Sequence, residues 1–152
     1  MNSDNIFEQK LEKSTDFTFD KTVVNVFDDM VVRSVPYYLE IQRMMTEIIK
    51  DYAVPGTSLY DLGCATGTTM LSINTVLDDS VHFVGVDDSP QMLESCRNNL
   101  NEKGMTRPFD MLEADLNQGL KIKNASVVVL CLTLQFIRPI NREKLLKQIH
   151  EQ

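Results

Sequence analysis

The apolar run at residues 125–132 constrains the fold of this chain more than any other feature. Its sequence, Ala-Ser-Val-Val-Val-Leu-Cys-Leu, is continuous and rich in β-branched side chains. Such a run is typical of a strand covered on both faces, as in parallel sheets whose strands are joined by helices. It therefore indicates an α/β protein.

The rest of the chain alternates strand and helix patterns. We predict four strands, at 58–62, 81–87, 110–114 and 125–132. We predict helices at 21–30, 38–52, 66–77, from a Ser89 N-cap with Pro90 to near Gly104, and from an Asn141 cap onward. This order predicts a Rossmann-like, mostly parallel sheet with helices on both faces and four strands present. We expect a lead or cap at 1–37 and the ligand-binding domain at 38–152.

Candidate ligand residues follow the first predicted strand. In doubly wound sheets, ligands lie beyond the carboxyl ends of the strands, where the strand order reverses. The chain there reads Asp61-Leu62-Gly63-Cys64-Ala65-Thr66-Gly67. Gly63 and Gly67 allow a tight turn and a close approach of the backbone to a ligand. Asp61 could accept a bond from a cationic amine or organise the N–H groups of the turn.

Two further acids follow the next two strands. Asp87 could accept hydrogen bonds from both hydroxyls of a ribose. Asp115 is placed to meet an adenine amino group, and the backbone N–H of Leu116 could reach a ring nitrogen. Each acid alone is equally well explained as a helix-initiating or loop residue. Three such features at successive strand ends make a stronger signal for a nucleoside site.

NAD is the competing ligand for this arrangement. Its pyrophosphate is held by a G-x-G-x-x-G turn. Here Ala65 and Thr68 stand at the second and third glycine positions, and Asp61 would repel phosphates. The residues therefore favour S-adenosylmethionine, which carries no phosphate, over NAD.

Composition excludes several classes of function. The net charge of −7 opposes direct, tight binding of nucleic acid. No apolar run is long enough to cross a bilayer and the start of the chain does not read as a signal peptide, so we expect a cytoplasmic protein. Three cysteines without a CxxC pair indicate reduced thiols, and the isolated His82 and His150 suggest no metal site.

The chain resembles the family of carboxy-S-adenosylmethionine synthases, methyltransferase-like enzymes of wobble-uridine modification in bacterial tRNA. The matching segments are Phe17-Thr18-Phe19-Asp20, Val26-Phe27 with Asp29-Met30, Arg33-Ser34-Val35-Pro36 with Tyr38, Pro55-Gly56-Thr57, Tyr60-Asp61-Leu62-Gly63-Cys64, Asp87 with Ser89-Pro90, Asn124-Ala125-Ser126, and Thr133-Leu134-Gln135-Phe136. The segments at 33–38 and 133–136 are not general methyltransferase features, so the resemblance is specific.

The resemblance implies a reaction and a set of ligand contacts. Such enzymes convert S-adenosylmethionine and prephenate to carboxy-S-adenosylmethionine and phenylpyruvate. A separate enzyme then carries the carboxymethyl group to tRNA, so the synthase itself need not hold tRNA. We also expect a homodimer or other homo-oligomer. By similarity the ligand contacts fall on Tyr38, Gly63, Cys64, Ala65, Asp87, Asp88, Asp115 and Leu116; no catalytic residue is assigned.

Two departures from the family leave alternatives open. Cys131 stands where the family usually has asparagine, and a thiol replaces an amide poorly. The chain also stops at Gln152, whereas the family continues through three more strands that carry a carboxylate-binding arginine; we expect a truncated domain with an open fourth-strand edge. The alternatives are a methyltransferase of a small molecule or RNA, and a silent fragment that acts in assembly.

Overall fold

A computed structural model describes residues 24 and 26–152 of the chain. Its sheet has four parallel strands: β1 (Ser58–Leu62), β2 (His82–Asp87), β3 (Phe109–Glu113) and β4 (Ala125–Val129). Their spatial order is β3-β2-β1-β4. Strands β2 and β3 lie on one side of β1 and strand β4 lies on the other. The strand order therefore reverses between β1 and β4, which is the topological switch point of the sheet. The predicted parallel α/β sheet is confirmed.

Five helices and two short 3₁₀ turns accompany the described sheet. They are α1 (Phe27–Ser34), α2 (Tyr38–Tyr52), α3 (Thr68–Asn74), α4 (Pro90–Glu102), α5 (Pro139–His150) and the turns Leu116–Gln118 and Leu134–Phe136. Helix α2 has the predicted bounds. Helix α4 begins at the predicted cap, where the Ser89 hydroxyl accepts a bond from the Met92 N–H at 3.2 Å.

The N-terminal part of the chain differs from the predicted pattern in one helix. The described helix α1 extends to Ser34, four residues beyond the predicted end at 30, and stops just before Val35-Pro36, because a residue that precedes proline disfavours the helical conformation. Residues 1–23 and 25, which include most of the predicted lead and the start of the predicted helix, lie outside the described residues. The division between 1–37 and 38–152 stays a prediction.

Helices α3 and α5 begin elsewhere than predicted. Helix α3 starts at Thr68 rather than at residue 66, because Ala65 and Gly67 have φ of 47° and 89° and cannot belong to a right-handed helix. Helix α5 starts at Pro139 with Arg138 at its N-cap, because proline is well suited to the first helical position. Asn141 therefore lies inside α5 rather than capping it.

Strand β4 is shorter and less buried than predicted. It ends at Val129, three residues before the predicted end, and Leu132 beyond it has a left-handed φ of 57°. Residues 125–128 are only half-buried because β4 forms one edge of the described sheet. Both of its faces are covered as predicted, because Val127 and Val129 pack in one hydrophobic core and Ala125 and Val128 in the other.

Each face of the sheet carries its own hydrophobic core. The core beneath α2, α3 and α4 includes Leu59, Met70 and Phe83, and the core beneath α5 includes Leu62 and Leu145. Burial on both faces fixes the strands, and with them the loops at their carboxyl ends. Among the described residues, no helix has the length and hydropathy needed to span a membrane.

Candidate functional site

A cavity of about 870 Å³ opens at the carboxyl ends of the strands, at the switch point of the sheet. Its walls come from the loops after all four strands, from α1 and from the start of α2. Nine of the eleven residues predicted to bind the ligand line it: Tyr38, Gly63, Cys64, Ala65, Asp87, Asp88, Asp115, Leu116 and Cys131. Asp61 and Gly67 are not among the lining residues.

The glycines of the β1–α3 turn are required by its backbone conformation and by the packing around it. Gly63 and Gly67 have φ of 79° and 89°, a region that L side chains rarely adopt. A Cβ at Gly63 would lie 2.7 Å from Cγ2 of Thr133, and one at Gly67 would lie 2.8 Å from Sγ of Cys96. Both positions therefore need glycine whether or not a ligand is bound.

Asp87 holds the turn beside the end of β2. Its Oδ2 accepts from the Ala65 N–H at 3.1 Å, and its Oδ1 accepts from the Ser89 N–H at 3.0 Å. Burial raises the pKa of Asp87, and these two bonds act in the opposite direction. The Asp88 N–H also acts on this carboxylate, and because a carboxylate has about four acceptor positions, acceptor capacity remains for a further donor. Asp87, rather than Asp61, accepts from an N–H group of the turn.

Asp61 lies near the carboxyl end of β1, buried behind the residues that line the cavity. It is only 2% exposed, and its Oδ2 has no hydrogen-bond partner. Burial, reinforced by the nearby Asp87, raises the pKa of Asp61 to about 7. A buried carboxylate without a partner is costly, so this group favours its neutral form unless a cation or a donor comes close.

Helix α2 contributes a polar wall beside the end of β4. The Gln42 amide, 4% exposed, donates from Nε2 to Sγ of Cys131 at 3.7 Å, and its Oε1 has no partner. Burial raises the pKa of the Cys131 thiol, and Asp61 raises it further. Burial also raises the pKa of Tyr38, which lies one helical turn before Gln42. The wall is therefore neutral, and it pairs a thiol with an amide.

Sequence reasoning missed Gln42 and three other residues of the site. Thr133 donates from Oγ1 to the Leu62 carbonyl at 2.7 Å, which ties the loop after β4 to the end of β1. Asp28 accepts from the hydroxyl of Thr66 at 2.6 Å. The i, i+4 spacing of Gln42 from Tyr38 on the predicted helix could have revealed Gln42.

The loop after β3 forms the far end of the cavity. Asp115 is exposed there, and its Oδ1 accepts from the backbone N–H of Asn117 at 2.8 Å and from the Asn117 amide at 3.0 Å. These bonds lower the pKa of Asp115, so it is ionised at neutral pH. Leu116, buried in the adjacent 3₁₀ turn, presents an apolar surface next to this charge.

The charged side chains in the described lining of the cavity are all acidic. Its described lining includes three carboxylates, Asp87, Asp88 and Asp115, and no lysine, arginine or histidine. Within the same part of the chain, no cluster of three or more His, Cys, Asp or Glu residues could hold a metal ion. Such a cavity attracts cationic ligands and disfavours an anion that brings no partner of its own.

Comparison with known protein families identifies the sheet and its cavity. The family described as "Methyltransferase domain" matches residues 59–152, which contain all four strands. The chain belongs to this methyltransferase-domain family. Helices α1 and α2 precede the matched region.

Curated relatives confirm the predicted resemblance. Proteins named carboxy-S-adenosyl-L-methionine synthase are 42% identical in Methylococcus capsulatus and 41% in an Enterobacter species, over 99% and 97% of this chain. One from Yersinia pestis is 39% identical over 97% of it. The chain spans 63%, 60% and 55% of the length of these relatives.

Solved structures confirm the methyltransferase-like fold. A candidate S-adenosylmethionine-dependent methyltransferase from Methanococcus maripaludis superposes with a TM-score of 0.71 at 16% identity, over 90% of this chain and 62% of that one. A SAM-dependent methyltransferase from Aquifex aeolicus gives a TM-score of 0.60 at 14% identity, over 87% and 68%. At these identities the likeness supports the fold alone.

Proposed function

We propose that this methyltransferase-domain chain binds S-adenosylmethionine, or its carboxy derivative, and acts as a carboxy-S-adenosylmethionine synthase. The observation that carries the proposal is Asp87, which bridges the glycine turn and the end of β2 at the switch point and keeps free acceptor positions. The names and identities of the curated relatives support the same ligand and the same transferase class.

The lining residues suit three parts of such a nucleoside: the ribose, the adenine and the amino acid end. Asp87 would accept the two ribose hydroxyls, and Asp115 with Leu116 would hold the adenine. The amino acid end would lie toward the β1–α3 turn, near Tyr38 and Cys131. The carboxylates of the lining complement a ligand that carries a positive sulfonium.

The proposed reaction uses prephenate as the second substrate. Prephenate would lose its ring carboxylate as carbon dioxide and its ring hydroxyl as hydroxide, and leave as phenylpyruvate. The hydroxide would take a proton from the methyl group of S-adenosylmethionine to give water, and the methyl carbon would bond to the carbon dioxide. Prephenate carries carboxylates, and an unpaired carboxylate in a partly desolvated cavity is costly. Because the described lining offers no cation, a positive partner for these carboxylates would have to come from outside it.

The cellular role follows from the same resemblance. We propose a cytoplasmic homodimer that supplies the carboxymethyl donor for wobble-uridine modification of tRNA. The net charge of −7 supports a role in which another enzyme, and not this chain, holds the tRNA.

Mass spectrometry of the nucleoside that co-purifies with the protein tests the proposal. We expect a species heavier than S-adenosylmethionine by the mass of carbon dioxide, or S-adenosylmethionine itself, and its loss from an Asp87→Ala variant. Incubation with S-adenosylmethionine and a panel of small-molecule and RNA acceptors tests the alternative, since formation of a methylated product would assign ordinary methyl transfer. No binding of either nucleoside at millimolar concentration would contradict the proposal.

A further inference from the structure

The amide of Gln42 lies buried on α2, next to the lining of the cavity. The residue is only 4% exposed, and its Oε1 has no hydrogen-bond partner among the described residues. A buried polar atom without a partner lowers stability, and such atoms are rare in folded proteins. An apolar side chain of the same length would therefore suit the fold alone at least as well as this amide.

The donor end of the same amide contacts two residues that line the cavity. Its Nε2 donates to Sγ of Cys131 at 3.7 Å, and its side chain is also a hydrogen-bond partner of Tyr38. Burial raises the pKa of Tyr38, whereas hydrogen bonds with the side chains of Gln42 and Thr68 act in the opposite direction. Donors to a phenol oxygen have this effect because they stabilise its ionised form. Gln42 and Thr68 therefore donate to the oxygen of Tyr38.

Two donors at this oxygen restrict the direction of the hydroxyl hydrogen. A tyrosine hydroxyl has one hydrogen to donate. With Gln42 on α2 and Thr68 at the start of α3 both directed at the oxygen, the hydrogen is left for a ligand in the cavity that Tyr38 lines. The described lining contains no lysine, arginine or histidine, so within it a ligand carboxylate meets only neutral donors such as this hydroxyl.

We propose that Gln42 is a positioning residue that directs the Tyr38 hydroxyl toward the carboxylate at the amino acid end of the ligand. Gln42 is not among the lining residues, and its bond to Cys131 holds the amide against the end of β4. It therefore acts through Tyr38 rather than on the ligand. The inference rests on the proposed binding of S-adenosylmethionine in this cavity. Ligands that carry this carboxylate should gain affinity from Gln42, and ligands that lack it should not.

Calorimetric binding of S-adenosylmethionine and of decarboxylated S-adenosylmethionine to the full 152-residue chain measures this selectivity. The second ligand keeps the adenosine, the sulfonium and the amine and lacks only the carboxylate. Gln42→Met removes the amide and keeps the length of the side chain. It should weaken the binding of S-adenosylmethionine about tenfold and that of the decarboxylated ligand less than twofold. Gln42→Leu, a second apolar replacement, should behave in the same way.

Thr46→Val is the matched control on the same helix. The Thr46 hydroxyl donates to the backbone carbonyl of Gln42 at 2.8 Å, but Thr46 does not line the cavity. This variant should bind both ligands as the wild type does. The urea midpoint of Gln42→Met should not fall below that of the wild type, because the substitution also removes the orphaned Oε1. A general defect in folding would lower the midpoint and weaken both ligands alike.

The ¹³Cζ chemical shift of Tyr38 provides a readout that needs no ligand, since it responds to hydrogen bonds at the phenol oxygen. The chain has four tyrosines, and Tyr38→Phe identifies the signal of Tyr38 in a tyrosine-labelled sample. This signal should move in Gln42→Met and stay in place in Thr46→Val. An unchanged signal in Gln42→Met, or equal losses of affinity for the two ligands, would overturn the inference. A moved signal with no binding of either ligand by the wild type would instead refute the proposed function, and the contact of Gln42 with Tyr38 would stand.

Discussion

The two walls that meet at the switch point are built differently. The wall after β1 is fixed by backbone: Gly63 and Cys64 both donate their N–H groups to the Val86 carbonyl, at 2.7 and 3.0 Å, and Asp87 accepts from Ala65. The wall after β4 carries a half-exposed Leu132, and a buried side-chain bond from Thr133 ties it to the end of β1.

This difference separates two kinds of effect. Where the turn after β1 both supports the fold and contacts the ligand, a substitution affects stability and binding together. Where the loop after β4 is tied to β1 through a side chain, a substitution should affect the local position of the loop with only a small effect on the global free energy of unfolding. Four variants test whether the two walls differ in this way.

The largest expected effect is that of Gly67→Val. The φ of 89° strains a β-branched residue, and its Cβ would lie 2.8 Å from Sγ of Cys96. Strain and overpacking together should lower the free energy of unfolding by about 4 kcal/mol, measured by urea denaturation. Gly104→Ala is the matched control, because Gly104 also has a positive φ, 71°, but no atom within 4 Å of its Cβ position; it should cost about 1 kcal/mol. Equal losses in the two variants would mean that the packing around the turn is unimportant.

The next effect is a pH dependence that arises from Asp61. Its pKa in the folded protein is raised to about 7, above its ordinary value near 3.8, so folding favours the protonated form. With respect to this group, stability is therefore highest below about pH 4 and falls as the pH rises to about 7, by about 3 kcal/mol between pH 4.5 and 8. Denaturation of the wild type and of Asp61→Asn at pH 4.5, 6 and 8 should show this fall only in the wild type. Parallel curves for the two proteins would contradict it.

The third largest effect is expected from loss of the Asp87 carboxylate at the end of β2. Asp87→Ala removes the acceptor for Ala65 and Ser89 and, in the proposed complex, for the ribose. S-adenosylmethionine should bind about 100-fold more weakly by calorimetry, roughly 2–3 kcal/mol. Asp110→Ala provides a control, since Asp110 is an exposed acid on β3 that pairs with His82 away from the cavity. Equal affinity of the Asp87 variant and the wild type would remove Asp87 from the site.

The smallest effect belongs to the wall after β4. Thr133→Val keeps the shape of the side chain and deletes the hydroxyl that donates to Leu62. We expect a loss of about 1 kcal/mol in the free energy of unfolding, while Thr133→Ser, which keeps the hydroxyl, should lose less. A loss as large as that of Gly67→Val would show that the two walls are equally fixed, and the comparison would fail.

Local patterns were sufficient to predict much of the fold and nine residues of the cavity lining. The bounds of α2 followed from its apolar period, and the residues after β1, β2 and β3 followed from the rule that parallel strands deliver ligands at their carboxyl ends. The predicted end of β4 was wrong because the apolar sequence continues beyond the last hydrogen-bonded residue of the strand. Leu132, past that end, has a left-handed backbone conformation.

Contacts between distant parts of the chain could not be predicted in this way. Gln42 and Cys131 are 89 positions apart, and Asp28 and Thr66 are 38 apart. No periodicity or spacing within one element specifies such pairs, because they depend on how α1 and α2 pack across the sheet. The orphaned carboxylate of Asp61 was likewise invisible, since a motif gives a residue type but not its burial.

The central claim is that the cavity at the switch point is the site of S-adenosylmethionine. Titration of the ¹⁵N-labelled chain with S-adenosylmethionine, followed by amide chemical shifts, tests it most directly. The account predicts the largest shifts at Ala65, Ser89 and Leu116, with small shifts at Lys50 on α2 and at Glu102 on α4. No shifts at saturating ligand, or the largest shifts at a face of the protein away from this cavity, would contradict it.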